Sequence, residues 1–254
     1  MPKLFAPPAT TWAMDGREVD LLHYIYSRPD VKELRGNPHK VLVAIDEYVD
    51  KHQVLMNIGA TKGAFISDLI AARKPSTMIE LGGYVGYSAI LFGDAVRAHG
   101  GKQYLSIENN PEMAAVANQL LDLAGLRDFV RIIVGSSDES LEELIEQKKI
   151  DRIELIFIDH WQELYLPDLW LLEQLDVLVP QTSVFVADNI IMPGAPKYLK
   201  WVEATPEQKR EMLAGLDVGT RRPDPSWVYE TQVSKFDTTW GKDAVAVTKV
   251  VGRQ

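Results

Sequence analysis

From Thr77 onward the chain keeps one rhythm, a short apolar run followed by a stretch with helical spacing. No other feature limits its possible folds as strongly. Residues 77–81, 103–108, 130–134, 153–159 and 183–188 read as strands, and 87–99, 111–125, 138–148 and about 166–175 as the helices that follow them. Asn110 caps the second helix, Pro111 opens it and Gly125 ends it. Proline's missing N–H costs nothing in a first turn, and glycine takes a left-handed C-terminal conformation without strain. Runs such as Leu-Ile-Phe-Ile at 155–158 do not alternate, so both faces of such strands must be covered. Strands joined by short helical crossovers predict an α/β fold, a parallel, doubly wound sheet.

The flanks are less regular. Residues 1–16 are rich in proline and small residues and predict an irregular arm. A helix is expected from Arg17 to about Arg28. Asn37 caps another opened by Pro38, with Val41, Leu42, Ile45 and Val49 as its apolar stripe. The stretch MNIGATKG (56–63) breaks in as a glycine-containing loop, and a third helix runs to about Lys74. Past Asn189, residues 196–215 look helical but broken by Pro206, 221–226 form a loop, and 227–233 with 244–251 form an antiparallel pair at the sheet edge. One domain is expected over 17–254, with helices to 75 and an α/β core from 76.

Charge and composition exclude several partners. A formal net charge of −9 and a pI near 5.1 argue against nucleic acid, whose phosphates call for a basic surface. No basic cluster suggests a membrane surface, and no apolar run approaches the ~20 residues that span a bilayer. The absence of cysteine removes disulfides, thiol nucleophiles and cysteine zinc sites together. With no signal-peptide core in the first sixteen residues, a soluble cytoplasmic protein is expected.

In a doubly wound sheet, ligands bind beyond the carboxyl ends of the strands. The residues expected there are Glu80 with 82–86, Glu108 with Asn109, 135–138, 159–161, and Asp188 with Asn189. An acid stands at or near every strand end, which suits a cation or hydroxyl groups and disfavours a bare phosphate. The glycines fall at 82, 83 and 86, with Tyr84 where a dinucleotide turn needs its second glycine, so an NAD-type site is disfavoured. A nucleoside without phosphates fits better, because Glu108 can accept both ribose hydroxyls. The same glycines would equally serve a plain strand–helix turn. Asp159, Asp188 and Asn189 end neighbouring strands and offer all-oxygen ligation suited to Mg²⁺, although aspartate at a strand end also commonly caps the next helix. His160 and Trp161 suit packing against a flat heterocycle, or equally a loop anchored by an aromatic side chain.

At these residues the chain resembles the catechol O-methyltransferase family, Mg²⁺-dependent enzymes that use S-adenosyl-L-methionine. Five segments carry the resemblance, in the family's order: MNIGATKG (56–63), IELGGYVGYSA (79–89), IENNPEMAAVANQLLDLAGL (107–126), FIDHWQELYLPDLWLLE (157–173) and VADNIIMPGAP (186–196). The implied fold is a seven-stranded class I methyltransferase (Rossmann-like) sheet with extra N-terminal helices. By motif, Asp159, Asp188 and Asn189 match the magnesium ligands. Ile58, Glu80, Gly82, Ser88, Glu108, Asn109, Ser137, Asp138 and Asp159 fall on the cofactor site, with His160 and Trp161 near the adenine. Glu230 matches a glutamate that holds the second catechol hydroxyl. The implied reaction is direct methyl transfer to a small catechol-type acceptor by a monomer or weak homo-oligomer.

Three positions depart from the family. Gln162 stands where a lysine serves as general base, and an amide cannot take a proton; Gln162, Asn189 and Glu230 are the residues expected nearest the chemistry. Glu163, Lys62 or a metal-bound hydroxide are candidates for the missing base. Val54 replaces a tryptophan that walls the acceptor pocket, while Pro193 keeps that wall's proline. Asp138 replaces a glutamine beside the adenine. Two functions follow: an active O-methyltransferase with a widened pocket, or a homologue that binds S-adenosylmethionine and metal but turns over little because of Gln162.

Overall fold

The computed structural model describes residues 13–216, 218–238 and 241–254; most of the arm expected over 1–16 lies outside them. The strands are β1 (Thr77–Leu81), β2 (Gln103–Glu108), β3 (Val130–Val134), β4 (Leu155–Ile158), β5 (Val184–Ala187), β6 (Trp227–Thr238) and β7 (Gly241–Arg253). They form one seven-stranded sheet in the order β3-β2-β1-β4-β5-β7-β6. The order reverses between β1 and β4, which marks the switch point where open α/β sheets bind ligands. The described residues divide into two compact units, 13–76 with 83–136, and 77–82 with those from 137 onward.

The first unit holds α1 (Arg17–Tyr26), α2 (Val31–Leu34), α3 (Pro38–Lys51), α4 (Gly59–Arg73), α5 (Tyr87–Ala98), α6 (Pro111–Ala124) and the parallel pair β2–β3. The expected caps form: Asn37 accepts from the Lys40 N–H at 3.0 Å and Asn110 from the Glu112 N–H at 2.9 Å. Gly125 ends α6 at φ 72°. The loop expected over 56–63 is shorter, because α4 begins at Gly59. Gly63 therefore lies inside the helix, where a Cβ would meet Leu91 Cδ2 at 2.7 Å; this glycine lets α4 approach α5. Ile66 and Ile70 of α4, Ile90 and Phe92 of α5, and Leu120 and Leu121 of α6 are fully buried.

The second unit holds β1, β4, β5, β6 and β7 with α7 (Ser137–Glu146), α8 (Gln162–Gln174), α9 (Pro196–Glu203) and α10 (Pro206–Leu213). β1, β4 and β5 run parallel, and β7 pairs antiparallel with both β5 and β6. The outer hairpin is longer than expected, since polar residues on both faces of the edge strand hide its alternation. α8 starts at Gln162 rather than near Leu166; Pro167 lies inside it, not at its start. Thr205 separates α9 from α10 with a full capping box.

Under α9 and α10 lies a buried polar cluster. The Lys209 ammonium donates to the Trp227 carbonyl at 2.6 Å and sits 4.3 Å from the Tyr229 ring centroid. Glu173 accepts from Trp201 Nε1 at 2.9 Å and the Tyr229 hydroxyl at 2.6 Å. Burial raises the Glu173 carboxyl to about 7 and lowers the Lys209 amine to about 8.

Candidate active site

In the first unit, the turn after β1 is set by contacts that admit no side chain. A Cβ on Gly83 would lie 2.5 Å from Ser106 Oγ. A Cβ on Gly86, at φ +87°, would lie 3.0 Å from Ala117 Cβ, so this glycine brings α5 against α6. Between them the Tyr84 N–H donates to Glu108 Oε2 at 2.8 Å, and the Asn110 N–H donates to Oε1 at 2.7 Å. Each carboxylate oxygen of Glu108 is thus held by one backbone donor. A carboxylate oxygen only accepts hydrogen bonds, which is the chemistry that vicinal hydroxyls call for.

The same turn is tied to the start of α1. The Tyr84 hydroxyl donates to Glu18 Oε1 at 2.7 Å, and the Met14 N–H donates to the same oxygen at 3.0 Å. Burial, then the Glu18 carboxylate, pushes the Tyr84 phenol well above its ordinary range. Glu18 did not stand out in the sequence, and Tyr84 did so only as the residue in place of a dinucleotide glycine. Ser88 lies in the first turn of α5 and Ile58 just before α4, each 8% exposed; Asn109 is exposed between β2 and α6. Asn57 Oδ1, just before Ile58, is buried without a protein donor.

In the second unit, register assembles the acids. Leu81 pairs with Ile158, and Ile158 with Ala187. The next residues, Gly82, Asp159 and Asp188, therefore end three adjacent strands, whose axes lie about 4.8 Å apart. Backbone bonds carry the alignment one step past the strands, from Asp159 N to Leu81 O at 2.9 Å and from Asp188 N to Ile158 O at 3.0 Å. Gly82 is required, because a Cβ there would lie 2.4 Å from the Asp159 carbonyl oxygen. Glu80, two residues before it on β1, is fully buried.

Asn189 follows in the left-handed region at φ 56°. Its Nδ2 donates to Asp243 Oδ2 at 3.0 Å, and the Ile191 and Met192 N–H groups donate to Asp243 Oδ1 at 3.1 and 3.0 Å. Among the described residues no three His, Cys, Asp or Glu side chains form a metal cluster. The candidate donors are two carboxylates on adjacent strand ends and one amide whose nitrogen is already engaged. That oxygen set suits a hard divalent cation with open positions.

His160 is committed to the protein. Its Nε2 lies 2.7 Å from Asp168 Oδ2, and its ring stacks on Tyr165 at 5.3 Å and 11°. The Tyr165 hydroxyl donates to the Asp188 carbonyl at 3.1 Å. Of the pair, His160 anchors the loop and Trp161 stays 58% exposed. Ser137 opens α7 nearly buried. Asp138 is engaged through Oδ2, an ion pair at 2.8 Å with Arg221 from the loop after α10.

Glu230 requires a correction. It pairs with Lys249, which pairs with Val184 at the amino end of β5. Asp188 lies four residues further along, about 13 Å at roughly 3.3 Å per residue. Because β6 continues to Thr238, the acid that register carries toward Asp243 is Asp237, opposite Lys242. Asp237, Asp243 and Asp168 were not found by sequence reasoning, since each gains its place through a partner on another element.

The profile of the O-methyltransferase family matches residues 33–213. Mouse catechol O-methyltransferase is 39% identical over 170 residues, covering 67% of this chain and 63% of that protein. The bovine catechol O-methyltransferase is 37% identical, with 66% and 60% covered. The chain therefore spans less than two-thirds of the length of these relatives. The human transmembrane O-methyltransferase is 34% identical, with 67% of this chain and 58% of that protein covered. Among the described residues no helix is long and apolar enough to cross a membrane. In fold, the chain is similar to a Bacillus cereus O-methyltransferase solved with SAH, at TM-score 0.60 and 18% identity over 94% of this chain and 92% of that one. It is also similar to TomG from Streptomyces achromogenes, solved with SAM, at TM-score 0.58 and 19% identity over 94% and 100%. With the family profile spanning most of the chain, this protein belongs to the O-methyltransferase family.

Proposed function

We propose that this chain transfers a methyl group from S-adenosylmethionine to one hydroxyl of a catechol-type small molecule, with Mg²⁺ held by Asp159, Asp188 and Asn189. The observation that carries the reading is the register that ends three adjacent strands with Gly82, Asp159 and Asp188 at the sheet's switch point. By motif, the donor is assigned to Ile58, Glu80, Gly82, Ser88, Glu108, Asn109, Ser137, Asp138, Asp159 and Trp161, with His160 anchoring the loop that carries Trp161. Support comes from the Glu108 carboxylate, which two backbone N–H groups fix at the end of β2 and whose oxygens are acceptors of the kind that ribose hydroxyls need. A bound cation supplies charge that lowers the pKa of an acceptor hydroxyl.

The chain's own part is placement. One hydroxyl of the acceptor releases its proton to solvent water, its oxygen forms the new C–O bond as the S–C bond breaks, and S-adenosylhomocysteine leaves. Holding donor and acceptor in line supplies most of what such a transfer needs. Asp237, rather than Glu230, is the acid on β6 assigned to the second hydroxyl. Gln162 cannot accept the proton, and burial holds the Tyr165 phenol well above its ordinary range.

Incubation with S-adenosylmethionine, Mg²⁺ and a panel of catechols, with and without EDTA, tests the reading by mass of product. EDTA-sensitive methylation is expected. A specific observation, the amide at Gln162, favours a second reading, a homologue that binds donor and metal with little turnover. Donor binding with no product across the panel would establish that one instead.

A further inference from the structure

We infer that Asp243 is a positioning residue that orients the Asn189 side chain as a metal ligand, an inference that rests on the metal site proposed above. A side-chain amide presents an oxygen on one side and an NH₂ on the other, and only the oxygen can bind a cation. Asn189 alone has no reason to prefer one orientation. Asp243 decides it: a carboxylate has no proton to donate, so the group turned toward Oδ2 at 3.0 Å is the NH₂. The Asn189 oxygen is consequently turned away from Asp243.

Asp243 is itself immobilised. It is 4% exposed, and its Oδ1 accepts from the N–H groups of Ile191 at 3.1 Å, Met192 at 3.0 Å and Ala244 at 2.7 Å. Those bonds fasten the irregular turn Ile190–Gly194 to the first residues of β7. One side chain thus sets both the amide orientation and the path of the chain leaving Asn189, whose left-handed backbone would otherwise cost energy. Outer partners that orient a metal ligand typically carry about 10–100-fold in metal affinity.

The protein is titrated with Mn²⁺ and followed by the EPR signal of free Mn²⁺, with donor binding measured in parallel. Asp243→Asn is expected to weaken Mn²⁺ binding about tenfold or more and to leave S-adenosylmethionine affinity within about twofold. The exchange variant Asn189→Asp/Asp243→Asn presents oxygen to the metal in either orientation and keeps a donor–acceptor pair. It should recover Mn²⁺ affinity to within about threefold of the parent, which a purely structural role for Asp243 would not produce. Unchanged affinity in Asp243→Asn, or no recovery in the exchange variant, overturns the inference while leaving the metal site standing. A parent protein that binds no Mn²⁺ overturns the metal site, and the inference with it. If Asp243→Asn does not fold, asparagine-labelled parent protein carries the test: the Asn189 side-chain NH₂ must exchange slowly with water before metal is added, and fast exchange would refute the assignment.

Discussion

The Tyr84 hydroxyl and the Glu18 carboxylate meet at 2.7 Å, joining the glycine turn to the first turn of α1 across sixty-six residues of sequence. Glu18 is 1% exposed, so its acceptor oxygens rely on protein donors rather than water. Tyr84→Phe keeps the ring and removes the donor. Stability should fall by about 1–3 kcal/mol, the cost of leaving a buried acceptor short of a partner. Urea unfolding checks this; a change within about 0.3 kcal/mol would mean the bond contributes little.

Gly86 carries two constraints at once, φ +87° and Ala117 Cα at 3.1 Å from any added Cβ. Gly86→Ala should destabilise by about 2 kcal/mol or more and weaken donor binding, because α5 must move off α6. Thermal unfolding and isothermal titration with S-adenosylmethionine report the two effects separately.

Asp188→Ala removes a carboxylate from the middle of the proposed metal site. Activity and its metal dependence should disappear together. Metal-dependent turnover that survives the change would move the metal elsewhere.

Gln162→Lys restores a group able to take a proton. A positioned base typically contributes about 10²–10⁴-fold, so the initial rate with simple catechols should rise, and more at alkaline pH, where the amine is neutral. An unchanged rate would show that another group already acts as the base.

The Glu173 carboxyl stands at about 7 in the folded protein, above its ordinary 4.5. Between those values the folded chain keeps a proton that the unfolded chain releases, so this group's contribution to stability falls as pH rises from about 4.5 to 7. The nearby Lys209 charge opposes the shift. Lys209→Met should therefore steepen the fall, measured as urea midpoints at pH 5 and 7.5 relative to the parent. An equal or shallower difference would count against the buried cluster as its source.

Much of the fold was legible because it is locally encoded. β1, β2 and β3 match their expected bounds, and the Asn37, Asn110 and Gly125 caps form as their residue types require. Gly82, Asp159 and Asp188 were legible as a group because each follows an apolar run, and parallel pairing in register sets equivalent residues side by side. What misled was the motif match at the edge: Glu230 was matched to the family's glutamate, but β6 runs on to Thr238 and carries that acid to the other end.

The sequence by itself determined the alternation of strands and helices, the caps and the acids at the strand ends, since period, capping chemistry and turn glycines act within a few residues. Tertiary structure alone decided the partners: Glu18 for Tyr84, Asp168 for His160, Asp243 for Asn189. The last of these joins residues 54 apart in sequence, and it exists only because β7 pairs antiparallel with β5 and so brings its first residues to where β5 ends.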